Sequence, residues 1–357
     1  MTHLRSLLYD APSQAEEVAE RARSVGGVSS VVWLLTYRCN LNCLHCYQGG
    51  RPSEELTIGD CLRIVDKLEK AGKPLIFVSG GEPMIREDTL SLLEEMKGRG
   101  FRVVLSTNGT LIDESNAGRL SESVDNIALP VYGPENFHDS LTQVSGSHSK
   151  VMRSLSMIKG STGLTLKTVV SRSTLRYLDY LLELASKYDV TTLYLCDLLP
   201  KRGMEGELLG RTEWMELVDK LLQVISERDV EIDLGLHPSA AVYAAMKLGY
   251  STSGIRRKLD GRRLSREGMG FISLAPNGDV LVSSYAPELK VGNLVKGDVA
   301  DVLSNDLYSK LGSGDIRGSC SKCPLRDVCG GSRVKAYLYS GDVLGEDPTC
   351  LVRDLLA

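Results

Sequence analysis

Over the first two-thirds of the chain, short β-branched apolar runs alternate with longer amphipathic segments. The run Val31–Thr36 predicts a strand. Leu62, Val65, Leu68 and Ala71 then recur at helical spacing and predict a helix over Thr57–Ala71. Further strands are expected over Leu75–Val78, Phe101–Leu105, Asp125–Tyr132, Leu164–Ser171 and Thr192–Leu198. Helices are expected over Asp88–Arg99, Lys150–Lys159, Leu175–Tyr188 and Glu213–Arg228. Strand–helix repetition of this kind builds a parallel sheet. Six such strands predict an α/β fold of the partial (β/α)6 TIM-type barrel class, open on one side. Barrels of this type carry their sites at the C-terminal ends of the strands.

The pattern changes past residue 235. Residues 249–268 carry Arg256, Arg257, Lys258, Arg262, Arg263 and Arg266 among Gly and Ser, which reads as a linker or mobile loop. Phe271–Ser284 predicts a hairpin turning at Asn277-Gly278, a strong short-range hairpin signal. The rest is cysteine-rich and too short to bury much core, so a metal is expected to hold it together. The expected division is a helical extension over 1–29, helix-prone from Ala11 to Ser24, then a barrel over 30–235. A linker over 236–268 and a small C-terminal β-hairpin and cysteine-rich domain over 269–357 follow.

Composition narrows the function classes. An apolar content of 42% and a charged content of 25% are ordinary for a globular protein. A net charge of −4 argues against a nucleic-acid binder built on phosphate contacts. No run of about 18 apolar residues suggests a membrane span, and residues 1–30 carry no apolar stretch of signal-peptide length. Nine cysteines in such a chain point to metal binding in a reducing compartment, hence a cytoplasmic location.

The cysteines fall into two sets. Cys39, Cys43 and Cys46, spaced C-x3-C-x2-C directly after the first strand, supply three thiolates. Closed zinc sites and ordinary iron–sulfur clusters take four ligands, so three leave one metal position open to chemistry. His45 or a distant residue could complete a zinc site instead. Cys320, Cys323, Cys329 and Cys350, spaced C-x2-C-x5-C-x20-C, make a closed set suited to a [4Fe-4S] cluster or a structural zinc. Other residues stand where a barrel keeps its chemistry. Gly80-Gly81-Glu82-Pro83 ends the second strand, where glycines admit a close approach and Glu82 offers a carboxylate, although a plain strand–helix turn reads the same. Asn108 ends the third strand in a turn-prone Asn-Gly pair. Ser171 and Arg172 end the fifth, where a guanidinium suits a bidentate grip on a carboxylate or simply sits in solvent. Leu193–Leu198 reads as barrel core or as an apolar wall of a site. Cys61 and Cys196 read as core residues.

Together these motifs, over roughly residues 30–357, resemble the radical S-adenosylmethionine (SAM) superfamily. The C-terminal text around Cys323-Pro-Leu-Arg-Asp-Val-Cys329-Gly-Gly-Ser-Arg333 and Glu346-Asp-Pro-Thr-Cys350 resembles that family's SPASM/twitch extension, preceded by the turn Pro276–Asp279 and by Val291–Leu294. The resemblance implies a [4Fe-4S] cluster on Cys39, Cys43 and Cys46 whose fourth iron chelates SAM. It places Gly80, Gly81, Glu82 and Pro83 at the methionyl ammonium, His45 with adjacent Tyr47 by the adenine, and Asn108 near SAM. Ser171 and Arg172 fall on the methionyl carboxylate or the ribose hydroxyls. It further implies an external electron donor of the flavodoxin or ferredoxin type, reductive cleavage of SAM to a 5′-deoxyadenosyl radical, and hydrogen abstraction from a substrate. Cys320, Cys323, Cys329 and Cys350 then hold an auxiliary [4Fe-4S] cluster serving as electron acceptor or conduit. Ser283 and Ser332 stand where further cysteines would lie, which favours the twitch-like form with a single auxiliary cluster.

Two substrate classes stay open. The C-terminal motifs are similar to enzymes that trim tetrapyrrole side chains, whose carboxylates the Arg-rich run 256–266 could meet. Pro130–Pro134 and Phe137-His138-Asp139 look more like peptide-maturing enzymes, but those often carry an N-terminal recognition domain longer than 30 residues. Maturation of a metal cofactor or partner oxidoreductase, and a non-catalytic iron–sulfur or zinc scaffold, complete the alternatives. No catalytic acid or base is assigned; Asp197 and Tyr132, at strand ends, are candidates.

Overall fold

One sheet of eleven strands organises the described residues, which in this computed structural model are 2–4, 7, 27–48, 51, 54–228, 230–259 and 263–356. In chain order the strands are Thr2–His3 (β1), Ser30–Leu34 (β2), Leu75–Ser79 (β3), Val103–Ser106 (β4), Asn126–Pro130 (β5), Gly163–Val170 (β6), Thr192–Asp197 (β7), Glu231–Gly235 (β8), Phe271–Leu274 (β9), Asp279–Leu281 (β10) and Lys290–Asn293 (β11). From β2 to β8 each strand pairs parallel with the next. The six expected strands are present with their ends moved by a few residues. So are the expected helices, observed as Ile58–Lys70, Thr89–Gly98, Ser147–Ile158, Leu178–Lys187 and Arg211–Glu227.

Local chemistry explains these elements. Thr57 caps the Ile58–Lys70 helix in a reciprocal box with Asp60, and the helix sinks Cys61, Ile64, Val65 and Leu68 into the core. Along β6, Leu164, Leu166, Thr168 and Val170 are buried while the residues between them are partly open. Lys167 in the open row reaches Ser106 on β4, two strands away, at 2.7 Å, which puts that row on the concave face of the sheet. Cys61 is core, as expected; Cys196 is buried but turns to Tyr285 of the C-terminal segment at 3.8 Å.

The sequence pattern concealed β8, because Glu231 and Asp233 dilute the short alternation of Ile232 and Leu234. It also concealed the helix Pro238–Lys247, whose residues Pro238 to Ala245 are all buried, so it lacks a polar face to reveal its period. The Arg-rich stretch differs from the expected linker. Thr252–Lys258 is helical with Ser251 as its cap. Leu264 and Ser265 donate to the carbonyls of Val328 and Cys329, and Arg263 is buried. Arg256 pairs with Asp327 in a half-exposed pair, and Arg266 donates to Ser29, so both have internal partners. Arg262 and the helix-prone segment Ala11–Ser24 lie outside the described residues.

The C-terminal hairpin is present, with Gly278 left-handed (φ +84°) in the turn and Asn277 accepting from the Asp279 amide. It does not form a separate sheet: β9 pairs parallel with β2, so the sheet continues unbroken from barrel to extension. At the opposite edge β1 pairs antiparallel with β8, with Leu4 and Leu7 buried.

Candidate active site and cysteine loops

The chain leaving β2 forms the stem of the first cysteine loop and lies directly on the end of β3. Gly81 donates to the Thr36 carbonyl at 2.7 Å and Glu82 to that of Arg38 at 2.8 Å. The two glycines are needed here for a second reason, beside the expected approach of a ligand. A methyl group on Gly80, itself at φ +148°, would stand 2.3 Å from the Thr36 carbonyl oxygen, and one on Gly81 would stand 2.1 Å from that of Arg38. Gly81→Ala is expected to cost about 1–3 kcal/mol through this overlap and to lower iron loading at the adjacent loop. Urea unfolding monitored by circular dichroism reads the first effect, and an unchanged midpoint would contradict this packing.

Glu82 is fully buried, and its carboxylate accepts from the Met84 amide (2.9 Å), the Thr107 hydroxyl (2.6 Å) and the Asn108 amide (2.6 Å). It therefore ties the end of β3 to the end of β4. Burial pushes this carboxyl up, while these hydrogen bonds and Lys167 oppose the shift. Pro83 opens the short turn that Glu82 caps. Asn108 turns its amide toward the cysteine loop, donating to Asn40 Oδ1 at 2.7 Å and lying 3.9 Å from Cys39 Sγ. Asn40 donates in turn to Thr110 at 2.7 Å. Neither Asn40 nor Thr110 was legible as a site residue, because polar loop residues carry no periodicity.

The far side of the loop docks on the end of the helix Glu135–Thr142. Asn42 and Leu44 donate to the carbonyls of Thr142 and Leu141, and Lys201 donates to the carbonyl of Leu44. His45 Nε2 meets the Tyr132 hydroxyl at 3.1 Å, and burial lowers the His45 pKa to about 4, so the ring is neutral. Tyr47 packs on Tyr285 with ring centroids 4.0 Å apart, joining the loop to the C-terminal extension. The structure thus gathers His45, Tyr132, Asn108, Glu82 and the three thiols at one end of the sheet.

Within the loop, Cys39 Sγ accepts from the Leu41 amide at 3.4 Å. Burial, followed by the electrostatic influence of Cys46 and Cys39, pushes Cys43 up to about 12. Thiols so disposed become thiolates when a bound metal displaces their protons to solvent. The donor set fits an iron–sulfur cluster: three soft ligands within electrostatic reach of each other, with backbone donation to sulfur. Among the described residues no group of three Cys, His, Asp or Glu side chains is arranged for a single metal ion.

Other expected residues fall elsewhere. Ser171 is buried and caps the turn Arg172–Leu175 through a reciprocal pair with Thr174. Arg172 places its fork on Glu213 at 2.7 and 2.8 Å in a half-exposed pair and donates to the carbonyl of Gly206, so the guanidinium is already engaged. Lys167 places a cation on the concave face of the barrel; burial lowers its pKa, and Cys196 and Glu82 act in the opposite sense. Leu193 and Leu195 are core, leaving Tyr194 and Cys196 on the concave row in place of an apolar wall. Asp197 is buried and paired with Lys335, while Tyr132, buried beside the three thiols, has its hydroxyl pKa pushed well above the usual value, by burial first.

The four C-terminal cysteines form a second centre. Cys320 Sγ accepts from the Asp347 amide and Cys323 Sγ from the Leu325 amide, each at 3.4 Å. The Gly331 and Val352 amides act on Cys329 and Cys350 against the effect of burial. Backbone donation of this kind stabilises thiolates. Electrostatic influence links Cys350 with Cys320 and Cys323, and Cys329 with Cys350 and Cys320, so the set converges. This donor set also fits a cluster.

A parallel partial barrel with a soft-ligand loop past its first strand and a second cysteine centre on an extension defines an iron–sulfur enzyme class. Residues 33–188 match the radical SAM superfamily. The chain is 26% identical over 339 residues to the AdoMet-dependent heme synthase of Methanosarcina barkeri, covering 90% of this chain and 96% of that one. It is 28% identical over 348 residues to the mycofactocin maturase MftC of Mycolicibacterium smegmatis, covering 94% and 85%. The fold matches Streptococcus suis SuiB bound to S-adenosylmethionine with a TM-score of 0.74 at 18% identity, covering 97% of this chain and 85% of that one. Residues 33–188 thus form a radical SAM domain, the chain is an enzyme, and its fold, extension included, is that of SuiB. SAM and [4Fe-4S] clusters are its cofactors. No helix among the described residues is long and apolar enough to cross a membrane.

Proposed function

We propose that this enzyme matures a cofactor by removing a hydrogen atom from a tetrapyrrole side chain. The observation that carries the reading is the match to an AdoMet-dependent heme synthase across nine-tenths of the chain. Cys39, Cys43 and Cys46 hold the SAM-binding cluster, and Cys320, Cys323, Cys329 and Cys350 hold a fully ligated auxiliary cluster. When bound, the first cluster and SAM supply one-electron cleavage of SAM and a radical that takes the substrate hydrogen. The protein's own groups bind and orient. The turn Gly80–Pro83 offers backbone to the SAM ammonium, Glu82 holds that turn against Asn108, and neutral His45, positioned by Tyr132, borders the adenine. Lys167 supplies a cation on the concave face for a SAM or substrate carboxylate, a role for which Arg172 is otherwise engaged. Helix Glu135–Thr142 and Tyr285 cover the side of the loop that carries His45 and Tyr47 and limit access of stray hydrogen donors there. A flavodoxin- or ferredoxin-type protein supplies the electron, and nine free cysteines support a reducing cytoplasm as its location.

A second reading, peptide maturation, is favoured by the 28% identity to a mycofactocin maturase. Titrating the anaerobically loaded enzyme with carboxylate-bearing iron porphyrins separates the two. A shifted Soret band with porphyrin-dependent release of 5′-deoxyadenosine is expected. Release that depends instead on a precursor peptide, with no Soret change, would replace this proposal by the second.

A further inference from the structure

Two arginines of the C-terminal extension are buried beside the four-cysteine centre with donors left over. Arg333 is 0% exposed; its Nη1 donates to the carbonyls of Val343 (3.1 Å) and Gly345 (2.6 Å) and its Nε to that of Gly331 (3.3 Å). Its Nη2 has no hydrogen-bond partner among the described residues. Arg263 is 7% exposed; Nη1 donates to the Leu311 carbonyl at 2.9 Å, while Nε and Nη2 are buried and have no hydrogen-bond partner among the described residues. Buried guanidinium donors are costly to leave unmatched.

Both face the cysteines across glycine. A methyl group on Gly331 would stand 2.7 Å from Arg333 Nη2 and 3.2 Å from Cys320 Sγ, so the two groups meet at one point. A methyl group on Gly330, next to Cys329, would stand 2.5 Å from Arg263 Nε and 3.1 Å from its Nη2. Gly330 and Gly331 are both left-handed (φ +72° and +61°), and a side chain at either would wedge the guanidiniums from the sulfurs. Asp347 is the opposing charge of this shell. Its carboxylate accepts from the Ser332 amide (2.7 Å) and from the Thr349 amide and hydroxyl (2.9 and 2.8 Å).

We infer that Arg263 and Arg333 are redox-positioning residues of the auxiliary cluster, donating their spare N–H groups to its sulfurs and offsetting its negative charge. Both effects favour the reduced, more negative state and raise the reduction potential, making the cluster a better electron acceptor. The inference rests on the assignment of Cys320, Cys323, Cys329 and Cys350 as cluster ligands.

The test uses the full chain carrying Cys39→Ala, Cys43→Ala and Cys46→Ala, so that only the C-terminal centre loads. Electron paramagnetic resonance-monitored titration is expected to show Arg263→Gln and Arg333→Gln each lowering the midpoint by at least about 59 mV, tenfold in a one-electron equilibrium. Arg333→Lys, which keeps the charge, moves it less. With arginines unmutated but 15N-labelled at the guanidinium, pulsed spectra of the reduced cluster show nitrogen coupling; this measurement stands even if a variant misfolds. A loaded cluster without that coupling, or with an unmoved midpoint, overturns the inference alone. A chain that binds no iron overturns the four-cysteine assignment and the inference with it.

Discussion

Reconstituted under anaerobic conditions, the chain is expected to hold about eight irons, as two four-iron clusters, and to release 5′-deoxyadenosine when reduced with SAM. Replacing Cys39, Cys43 and Cys46 by alanine removes all thiolates of the loop that meets Asn108, Glu82 and His45. Iron then falls to about four per chain, and SAM cleavage falls below detection. The fold should persist, because the stem is held by backbone bonds of Gly81 and Glu82 and the far side by those of Asn42 and Leu44. Iron analysis, deoxyadenosine assay and circular dichroism on the same samples check the three parts. Undiminished cleavage would show that SAM reacts elsewhere.

The second large effect concerns Asp197, at the end of β7. Its carboxylate pairs with Lys335 of the extension, with side chains 6% and 2% exposed. Lys335 also donates to Thr349 at 3.1 Å, and His237 lies 4.0 Å from the carboxylate. Burial pushes the Asp197 carboxyl up, and the Lys335 ammonium opposes it. The pair joins barrel to extension and leaves Asp197 poorly placed as a free acid or base. Lys335→Met strands a buried carboxylate, and a loss of about 3–5 kcal/mol in unfolding free energy is expected. The double variant Asp197→Asn/Lys335→Met should recover much of that loss, since both charges are gone. Equal losses in the single and double variants would instead mean that packing, not the stranded charge, sets the cost.

Some elements were readable because one short-range regularity specified each. The helix Ile58–Lys70 shows its period in Leu62, Val65, Leu68 and Ala71, of which Val65 and Leu68 are fully buried. The hairpin shows Asn277-Gly278, whose backbone demand can be read without knowing its neighbours. Where several constraints met, the reading failed. The Arg-rich run looked solvated because arginine is usually so; that Arg263 lies buried beside Cys329 depends on a segment more than sixty residues away. Arg172 looked suited to a ligand carboxylate, and Glu213, forty-one residues on, takes that place.

Cysteine spacing is a local property, so the chain alone revealed an open three-thiol set and a closed four-thiol set, and the βα alternation placed the first at a strand end. Whether a glycine serves a ligand or a neighbouring backbone is a matter of distance in space. Only the folded chain showed that Gly80 and Gly81 admit the cysteine stem, that Glu82 ties β3 to β4, and that Lys167 places a cation on the concave face. Such roles depend on which side chains converge across strands, and desolvation and hydrogen-bond competition at that convergence have no counterpart in the order of residues.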